Sequence, residues 1–213
     1  MLTTLESVEL SIDCNVLYDA IKEALVYARK CSCAQGRSYI KMADFQKGLA
    51  CCSELGELIS STEAVVGRSS LLFSRHVIEV TVFTMVAKSD FTANDLPIEA
   101  VQEMQAAVQA IDASRWLLLN LFRLVAVLVK RGIATWDGTV EDRHSASIEA
   151  SVSLDAGDGE DVMYGRSLLR KSKDGIKVFK VSHDRGVVNA EKAAGRQVFS
   201  AKEAIAFNRS LVA

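Results

Sequence analysis

The sequence lacks a hydrophobic run long enough to cross a membrane. Its most apolar stretch, residues 116–129, contains only Asn120 and Arg123 as polar residues. An α-helix of that length rises about 21 Å, whereas the hydrocarbon core of a bilayer is about 30 Å thick. A helix that is apolar nearly all round is otherwise expected inside a protein core. The stretch therefore predicts a buried helix or a subunit interface, and no transmembrane span.

The chain also lacks a strong excess of either charge. Lys and Arg together number 25 and Asp and Glu together number 27, so the formal net charge is −2. Such a balance gives no general attraction to nucleic acid or anionic lipid, and any binding of that kind needs a local patch. The first residues, MLTTLESVELSID, contain neither the basic nor the apolar segment of an export signal. We therefore expect an unexported, cytoplasmic protein.

Familiar catalytic motifs are missing as well. The sequence has no glycine-rich phosphate loop ending in Lys-Ser or Lys-Thr, no G-x-G-x-x-G, no H-E-x-x-H and no G-x-S-x-G. The candidate acid–base pairs are His144 with Asp142 and His183 with Asp184, because a carboxylate can fix the tautomer of an imidazole. Neighbours in sequence usually point apart, however. The sequence thus predicts no catalytic residue and no cofactor, and it favours a non-enzymatic protein.

No metal site is expected either. The five cysteines are Cys14, Cys31, Cys33, Cys51 and Cys52. Their Cys-x-Cys and Cys-Cys spacings are shorter than the two-to-four-residue spacer of zinc sites, so buried reduced thiols are the favoured interpretation. The acidic stretch DAGDGED, residues 155–161, does not match the alternating ligands of an EF-hand and is interpreted as a solvated loop.

Apolar residues recur every three or four positions over most of the first 132 residues. This spacing predicts helices over residues 13–33, 43–61, 97–111 and 116–129. Asp13 or Asn15 can cap the first of them, and Gly132 marks the end of the last. Residues 71–87 are ambiguous, because their β-branched residues suit a strand. A length of about 20 residues without a turn favours a helix there.

Alternating apolar and polar residues predict strands at both ends of the chain. Residues 7–13, SVELSID, and 148–154, IEASVSL, would each have one buried and one solvated face. Asp174 and Gly175 separate two strand-like runs, which predicts a β-hairpin over residues 165–182. The spacing of Ser200 and Glu203 is that of a capping box and predicts a short terminal helix.

Together these elements predict an α+β fold that is predominantly α. A helical bundle of about four or more helices, with a short N-terminal strand, is expected over residues 1–134. A smaller β-rich region with the hairpin and the terminal helix is expected over residues 135–213. The second region would either stand alone or pack on the bundle as one unit.

The function favoured by the sequence is that of a structural or adaptor subunit. Residues 71–87 and 116–129 are more apolar than one small bundle readily hides. The chain is therefore expected to form a homo-oligomer or to dock into a larger protein assembly through these helices. Arg123 lies in the middle of the second stretch, and a buried guanidinium needs a partner. We expect it to meet a carboxylate of another helix or subunit, or to open onto a polar groove.

A basic cluster supports an alternative function. Its cations are Arg166, Arg170, Lys171, Lys173, Lys177 and Lys180, which give a local charge of about +5. On an exposed two-stranded ribbon such charges can follow a phosphate backbone, as in a nucleic-acid-binding packaging subunit. The other interpretation is a hairpin whose lysines prevent edge-to-edge aggregation. A third function, an enzyme with a site assembled from scattered residues, would require a deep polar pocket around His144 or His183.

Overall fold

The computed structural model describes residues 7–91, 113–153 and 158–212. The strands in this part of the chain are β1 (Val8–Ile12), β2 (Ser69–Ser74), β3 (Ala134–Asp137), β4 (Lys177–Val181) and β5 (Val198–Phe199). The helices are α1 (Cys14–Ala34), α2 (Met42–Cys51), α3 (Glu54–Glu63), α4 (Arg75–Ala87), α5 (Ala113–Lys130), α6 (Val140–Ser153), α7 (Asp158–Lys173), α8 (Arg185–Ala193) and α9 (Ala201–Ser210). The prediction of a predominantly helical protein is confirmed.

All five strands form one parallel sheet, in the order β3-β2-β1-β4-β5. The central strand β1 pairs with β2 on one side and with β4 on the other. Parallel strands need long crossover connections, which accounts for helices between successive strands. From β1 the chain proceeds outward through β2 to β3 and then returns to β4 and β5. The strand order therefore reverses between β1 and β4, as in doubly wound α/β sheets.

Strand β1 is covered on both faces, so the expected solvated face is wrong. Leu10 and Ile12 lie in the main core, and Glu9 on the opposite face is also buried. The Glu9 carboxylate lies 2.6 Å from the Lys171 ammonium and accepts a hydrogen bond from Thr135. A buried acidic residue in a central strand produces the same sequence alternation as a residue facing water. The sequence pattern therefore located the strand but not its surroundings.

Residues 165–182, all of them described, do not form the predicted β-hairpin. The first part of this range belongs to α7, and the second part is β4, which is parallel to β1. Gly175 has φ +71°, the left-handed conformation in which many helices end. The Asp174-Gly175 pair therefore terminates a helix instead of joining two antiparallel strands.

The strand predicted over residues 148–154 is also wrong. Residues 140–153 form α6, and Ala146 on this helix is buried. The helix begins with a reciprocal cap, in which the Thr139 amide donates to the Asp142 carboxylate and the Asp142 amide donates to the Thr139 hydroxyl. The chain is thus committed to a helix before the alternating residues are reached.

The other predicted elements are largely confirmed. Asp13 caps α1, and Ser200 and Glu203 form the capping box of α9. The helix predicted over residues 43–61 is divided into α2 and α3. Ser53 caps the start of α3, because its hydroxyl accepts a hydrogen bond from the Gly56 amide. The ambiguous residues 71–87 contain the end of β2 followed by α4. The helix predicted over 97–111 lies outside the described residues.

Helix α5 contains the apolar stretch 116–129 and is amphipathic. Its buried side includes Trp116, Leu117, Leu121, Val125 and Leu128. Arg123 is exposed, so its expected burial within the chain is wrong, whereas a contact with another subunit stays a prediction. Across the described residues, no helix combines the length and the hydropathy needed to cross a membrane, as expected from the sequence. The domain boundary near residue 134 stays a prediction, although the sheet takes strands from both sides of it.

Helices α1 and α2 are in backbone contact where Ala24 meets Gly48. A Cβ atom added to Gly48 would lie 2.8 Å from the Ala24 Cα and 2.9 Å from the Ala24 carbonyl oxygen. Because both neighbours are backbone atoms, the helices would have to separate. We expect Gly48→Ala to lower the free energy of unfolding in urea by about 1–3 kcal/mol.

The matched control is Gly165→Ala on α7, where an added Cβ would meet no atom within 4 Å. Alanine is the better helix former by about 1 kcal/mol, so this variant should be neutral or more stable. A similar loss of stability in both variants would show that the close contact at Gly48 is not responsible.

Candidate active site at the carboxyl edge of the sheet

Polar residues lie at the carboxyl edge of the sheet, at or directly after the last residues of the strands. Asp13 follows β1, Asp137 ends β3, Ser182 and His183 follow β4, and Ser200 follows β5. In doubly wound sheets, ligands bind at this edge, in the crevice where the strand order reverses. That crevice lies between β1 and β4, next to Asp13 and Ser182.

The crevice contains a buried carboxylate pair. Asp13 and Glu160 are 2% and 5% exposed, and Glu160 reaches the pair from α7, which packs on β4. The ligand atoms of Asp13, Cys14 and Glu160 all lie within 4.8 Å of one another. Two carboxylates at such a distance do not both ionise in a buried site unless a cation compensates them.

The two carboxyl groups titrate in opposite directions. Burial, reinforced by the hydrogen bond to Asp13, raises the pKa of Glu160 to about 8. Burial also opposes ionisation of Asp13, but hydrogen bonds from Glu160 and Ser182 and the nearby Lys180 ammonium hold its pKa below the usual value. Burial and both carboxylates raise the pKa of the Cys14 thiol well above its usual range. At neutral pH, Asp13 is therefore ionised, while Glu160 and Cys14 are protonated.

Lys180 supplies the positive charge of the cluster. Its side chain is almost fully buried, and its Nζ lies 2.8 Å from Asp161 Oδ1 and 3.4 Å from Glu160 Oε1. Burial alone would lower the pKa of Lys180, but the surrounding carboxylates raise it above the usual value. Within the described residues, Glu160 Oε1 accepts no hydrogen bond. The Asp161 side chain is 59% exposed, so the cluster extends from the interior to the surface.

Ser182 connects the buried cluster to open space. Its hydroxyl donates to the Asp13 carboxylate and accepts a hydrogen bond from the Asp184 amide. Ser182 and His183 line a cavity of about 410 Å³, and His183 also lines a neighbouring cavity of about 510 Å³. A small ligand in these cavities would lie one side chain away from Asp13.

His183 is partnered by residues that are distant in the sequence. Its Nδ1 lies 2.9 Å from Asp19 Oδ2 on α1, and its Nε2 lies 3.2 Å from Glu54 Oε2 on α3. Asp184, the partner suggested by the sequence, instead caps α8 by accepting the Gly186 amide. Carboxylates of α1 and α3 therefore flank His183 at the wall of an open cavity.

His144 does not form a similar site. Its side chain is exposed. The carboxylate of Asp142, its candidate partner, instead accepts hydrogen bonds from Thr139 and Arg170.

The six cations of the predicted basic hairpin do not lie on an exposed ribbon. Carboxylates among the described residues pair with several of them: Arg166 with Glu149, Arg170 with Asp137 and Asp142, Lys171 with Glu9, and Lys180 with Glu160 and Asp161. Lys173 and Lys177 are exposed. Nucleic-acid binding by this group stays a prediction, now without the ribbon geometry that suggested it.

Sequence reasoning missed the cluster as a site. Asp13 was recognised only as a helix cap, and the solvated loop expected over residues 155–161 is wrong for Glu160, which is buried on α7. One feature of the sequence indicates the cluster, because Lys180 lies between Phe179 and Val181 in an apolar strand. A lysine at such a position implies a buried anionic partner.

The cysteines are free thiols, but they are not all buried. Cys33, Cys51 and Cys52 are exposed, which corrects the expectation, whereas Cys14 and Cys31 are half-buried. Of the five, Cys14 alone belongs to the group of possible metal-ligating atoms found among the described residues.

No family model, curated protein or solved structure matches this chain. A function has therefore to be inferred from the geometry and charge of the cluster itself. The two properties that bear on it most are the close approach of two buried carboxyl groups and their position at the reversal of the strand order.

Proposed function

We propose that the chain is a metal-dependent hydrolase of phosphate esters, with its site in the crevice between β1 and β4. The observation that carries this proposal is the buried Asp13–Glu160 pair, whose oxygens lie within 4.8 Å of each other and of Cys14 Sγ. Carboxylate oxygens are the ligands preferred by Mg²⁺ and Mn²⁺. The position of the pair also matches the place where doubly wound sheets bind their ligands.

The charge of the cluster supports a divalent cation. Asp13, Glu160 and Asp161 carry three negative charges when ionised, and Lys180 carries one positive charge. The proton held by Glu160 leaves the cluster with one net negative charge. A divalent cation in place of that proton would make these four side chains, of which Asp161 is exposed, neutral as a group.

Each residue has a defined part in the proposed reaction. Asp13 and Glu160 would hold the cation, and Asp161 would lie between it and the surface. A Mg²⁺ or Mn²⁺ ion held there would keep positions for water and for a substrate phosphate, and it would supply Lewis acidity for hydrolysis, in which the water oxygen bonds to phosphorus as the ester P–O bond breaks and the alcohol leaves. Ser182 and His183 line the cavity from which the phosphate ester approaches.

Removing the Asp13 charge tests this function. Asp13→Asn keeps a side-chain oxygen for the Cys14 amide, so the cap of α1 is retained while the carboxylate is lost. We expect wild-type protein to bind one Mn²⁺ in calorimetry and to hydrolyse bis(p-nitrophenyl) phosphate. Asp13→Asn and Glu160→Gln should each weaken Mn²⁺ binding and slow hydrolysis by about 10–100-fold.

Glu57→Gln is the matched control, because Glu57 is an exposed carboxylate on α3. Its Mn²⁺ affinity and hydrolysis rate should equal those of wild type, and circular dichroism checks that every variant is folded. The proposal is wrong if wild type binds no divalent cation at millimolar concentration, or if folded Asp13→Asn hydrolyses the ester as fast as wild type.

We also propose that the chain self-associates or docks into a larger assembly through its apolar helices. The observation that favours this second function is the outer surface of α5, where Leu119 and Val127 are 48% and 54% exposed. Exposed apolar side chains grouped on one helix are typical of protein interaction sites. This surface does not overlap the carboxylate cluster, so the two functions are compatible.

A further inference from the structure

Helices α3 and α5 border an apolar groove, and residues of α2 also line it. The groove has a volume of about 380 Å³. Its apolar lining includes Leu49, Ile59, Leu124, Val127 and Leu128. Val127 is more than half exposed, so the groove is open along its α5 border.

The shape of the groove suits a helix. It follows α5 from Asn120 to Arg131, a distance of about 17 Å or three helical turns. An amphipathic helix presents apolar side chains on one face at positions i, i+4 and i+7, and it binds in grooves of this kind. A bilayer surface would rest on the borders of such a concave groove without filling it.

The charges around the groove are unbalanced within the described part of the chain. The sequence of α5 contains no acidic residue, and its exposed side carries Arg115, Arg123 and Lys130. Among the described residues that line the groove, Glu63 is the acidic one, and it is already ion-paired with Arg131. Among the described residues, none forms an ion pair with Arg123.

These charges distinguish between the partners that could fill the groove. A second copy that docks through the same face of α5 would place cations against cations, because a two-fold interface repeats the same surface on both subunits. A partner helix with carboxylates beside its apolar face would instead pair with Arg123.

We infer that the groove between α3 and α5 binds one acidic amphipathic helix of a different protein, with apolar side chains in the groove and a carboxylate on Arg123. This inference rests on the proposed docking function and is independent of the metal site.

Two synthetic helical peptides provide the test. Both carry leucine at positions i, i+4, i+7 and i+11, and the flanking residues are glutamate in one peptide and lysine in the other. Fluorescence anisotropy should give a micromolar Kd for the glutamate peptide and a Kd at least about tenfold weaker for the lysine peptide. Arg123→Glu should reverse this preference, and Val127→Asp should weaken binding of both peptides.

Arg209→Glu is the matched control, because Arg209 is exposed on α9 and outside the groove. It makes the same charge change as Arg123→Glu and should leave both Kd values unchanged. If it reverses the preference equally, the effect comes from net charge and the inference is wrong.

Further measurements distinguish an acidic helix from the other possible occupants of the groove, a second copy of the chain and a membrane surface. A monomer in light scattering that binds the glutamate peptide through Arg123 supports the inference. If the chain is a dimer that dissociates in Val127→Asp, the inference of an acidic partner is overturned, whereas the proposed docking function is supported. If the protein sediments with phosphatidylcholine–phosphatidylserine vesicles and Arg123→Glu abolishes this binding, the inference is also overturned. A monomer that binds neither peptide below about 1 mM overturns the inference.

Discussion

Replacing Lys180 with methionine is expected to lower the free energy of unfolding by about 3–5 kcal/mol, measured by urea denaturation at pH 7. Methionine has a similar length and fills nearly the same space, so the loss comes from charge. The ammonium is buried 3.4 Å from Glu160 Oε1, and Asp13 also depends on it for its ionised state. Without Lys180 the pair would remain buried with no cation nearby. The Asp161 contact contributes little of this loss because its carboxylate is exposed.

Lys173→Met is the matched control for Lys180→Met. Lys173 is exposed at the end of α7, and the substitution is chemically the same as that at Lys180. The free energy of unfolding of Lys173→Met should therefore stay within about 0.5 kcal/mol of the wild-type value. If Lys180→Met is as stable as this control, then Lys180 does not compensate the buried carboxylates. The charge balance proposed for the site would then be wrong as well.

Glu160→Gln is expected to stabilise the protein at pH 8, on the order of 3 kcal/mol, when divalent cations are removed with a chelator. Glu160 holds its proton more strongly in the folded chain, with a pKa of about 8, than in the unfolded chain, with a pKa near 4.5. The contribution of Glu160 to stability is therefore fully present below about pH 4.5 and is lost as the pH rises towards 8. Glutamine keeps the shape of the protonated side chain and does not ionise.

The measurement is the difference in free energy of unfolding between Glu160→Gln and wild type at several pH values. This difference should be small at pH 5 and should grow in favour of the variant up to pH 8. Glu57→Gln, in which the carboxylate replaced is exposed, is the control and should stay within about 0.5 kcal/mol of wild type. A Glu160→Gln variant that is less stable than wild type at pH 8 would contradict the raised pKa.

The two expectations for Glu160→Gln, higher stability at pH 8 and slower hydrolysis, belong together. A buried carboxyl that could be replaced with a gain in stability is retained in a protein when its charge is needed for function. A variant that is both stabilised and fully active would leave the Asp13–Glu160 pair without the proposed role.

The sequence by itself determined the helices whose ends are set by residues close to them in the chain. The apolar spacing and the Asp13 cap define α1, and the Ser200–Glu203 capping box defines α9. The end of α5 near Gly132 follows in the same way, since this glycine has the left-handed φ of +71° that stops many helices. Each of these signals acts over one or two turns of the chain, so no distant contact is needed to interpret it.

Tertiary structure decided the pairing of the strands and the form of the C-terminal half. Asp174-Gly175 can end a helix or join two strands, and only the parallel pairing of β4 with β1 settles which. Local patterns with two meanings are resolved by packing against elements far away in the sequence.

Tertiary structure also created the candidate site. Asp13, Glu160 and Lys180 belong to three separate elements and meet only because β1 lies beside β4 and α7 packs on β4. No spacing in the sequence indicates their approach. The burial that raises the pKa of Glu160 is a property of the folded surroundings, because the same glutamate in a solvated loop would be an ordinary ionised residue.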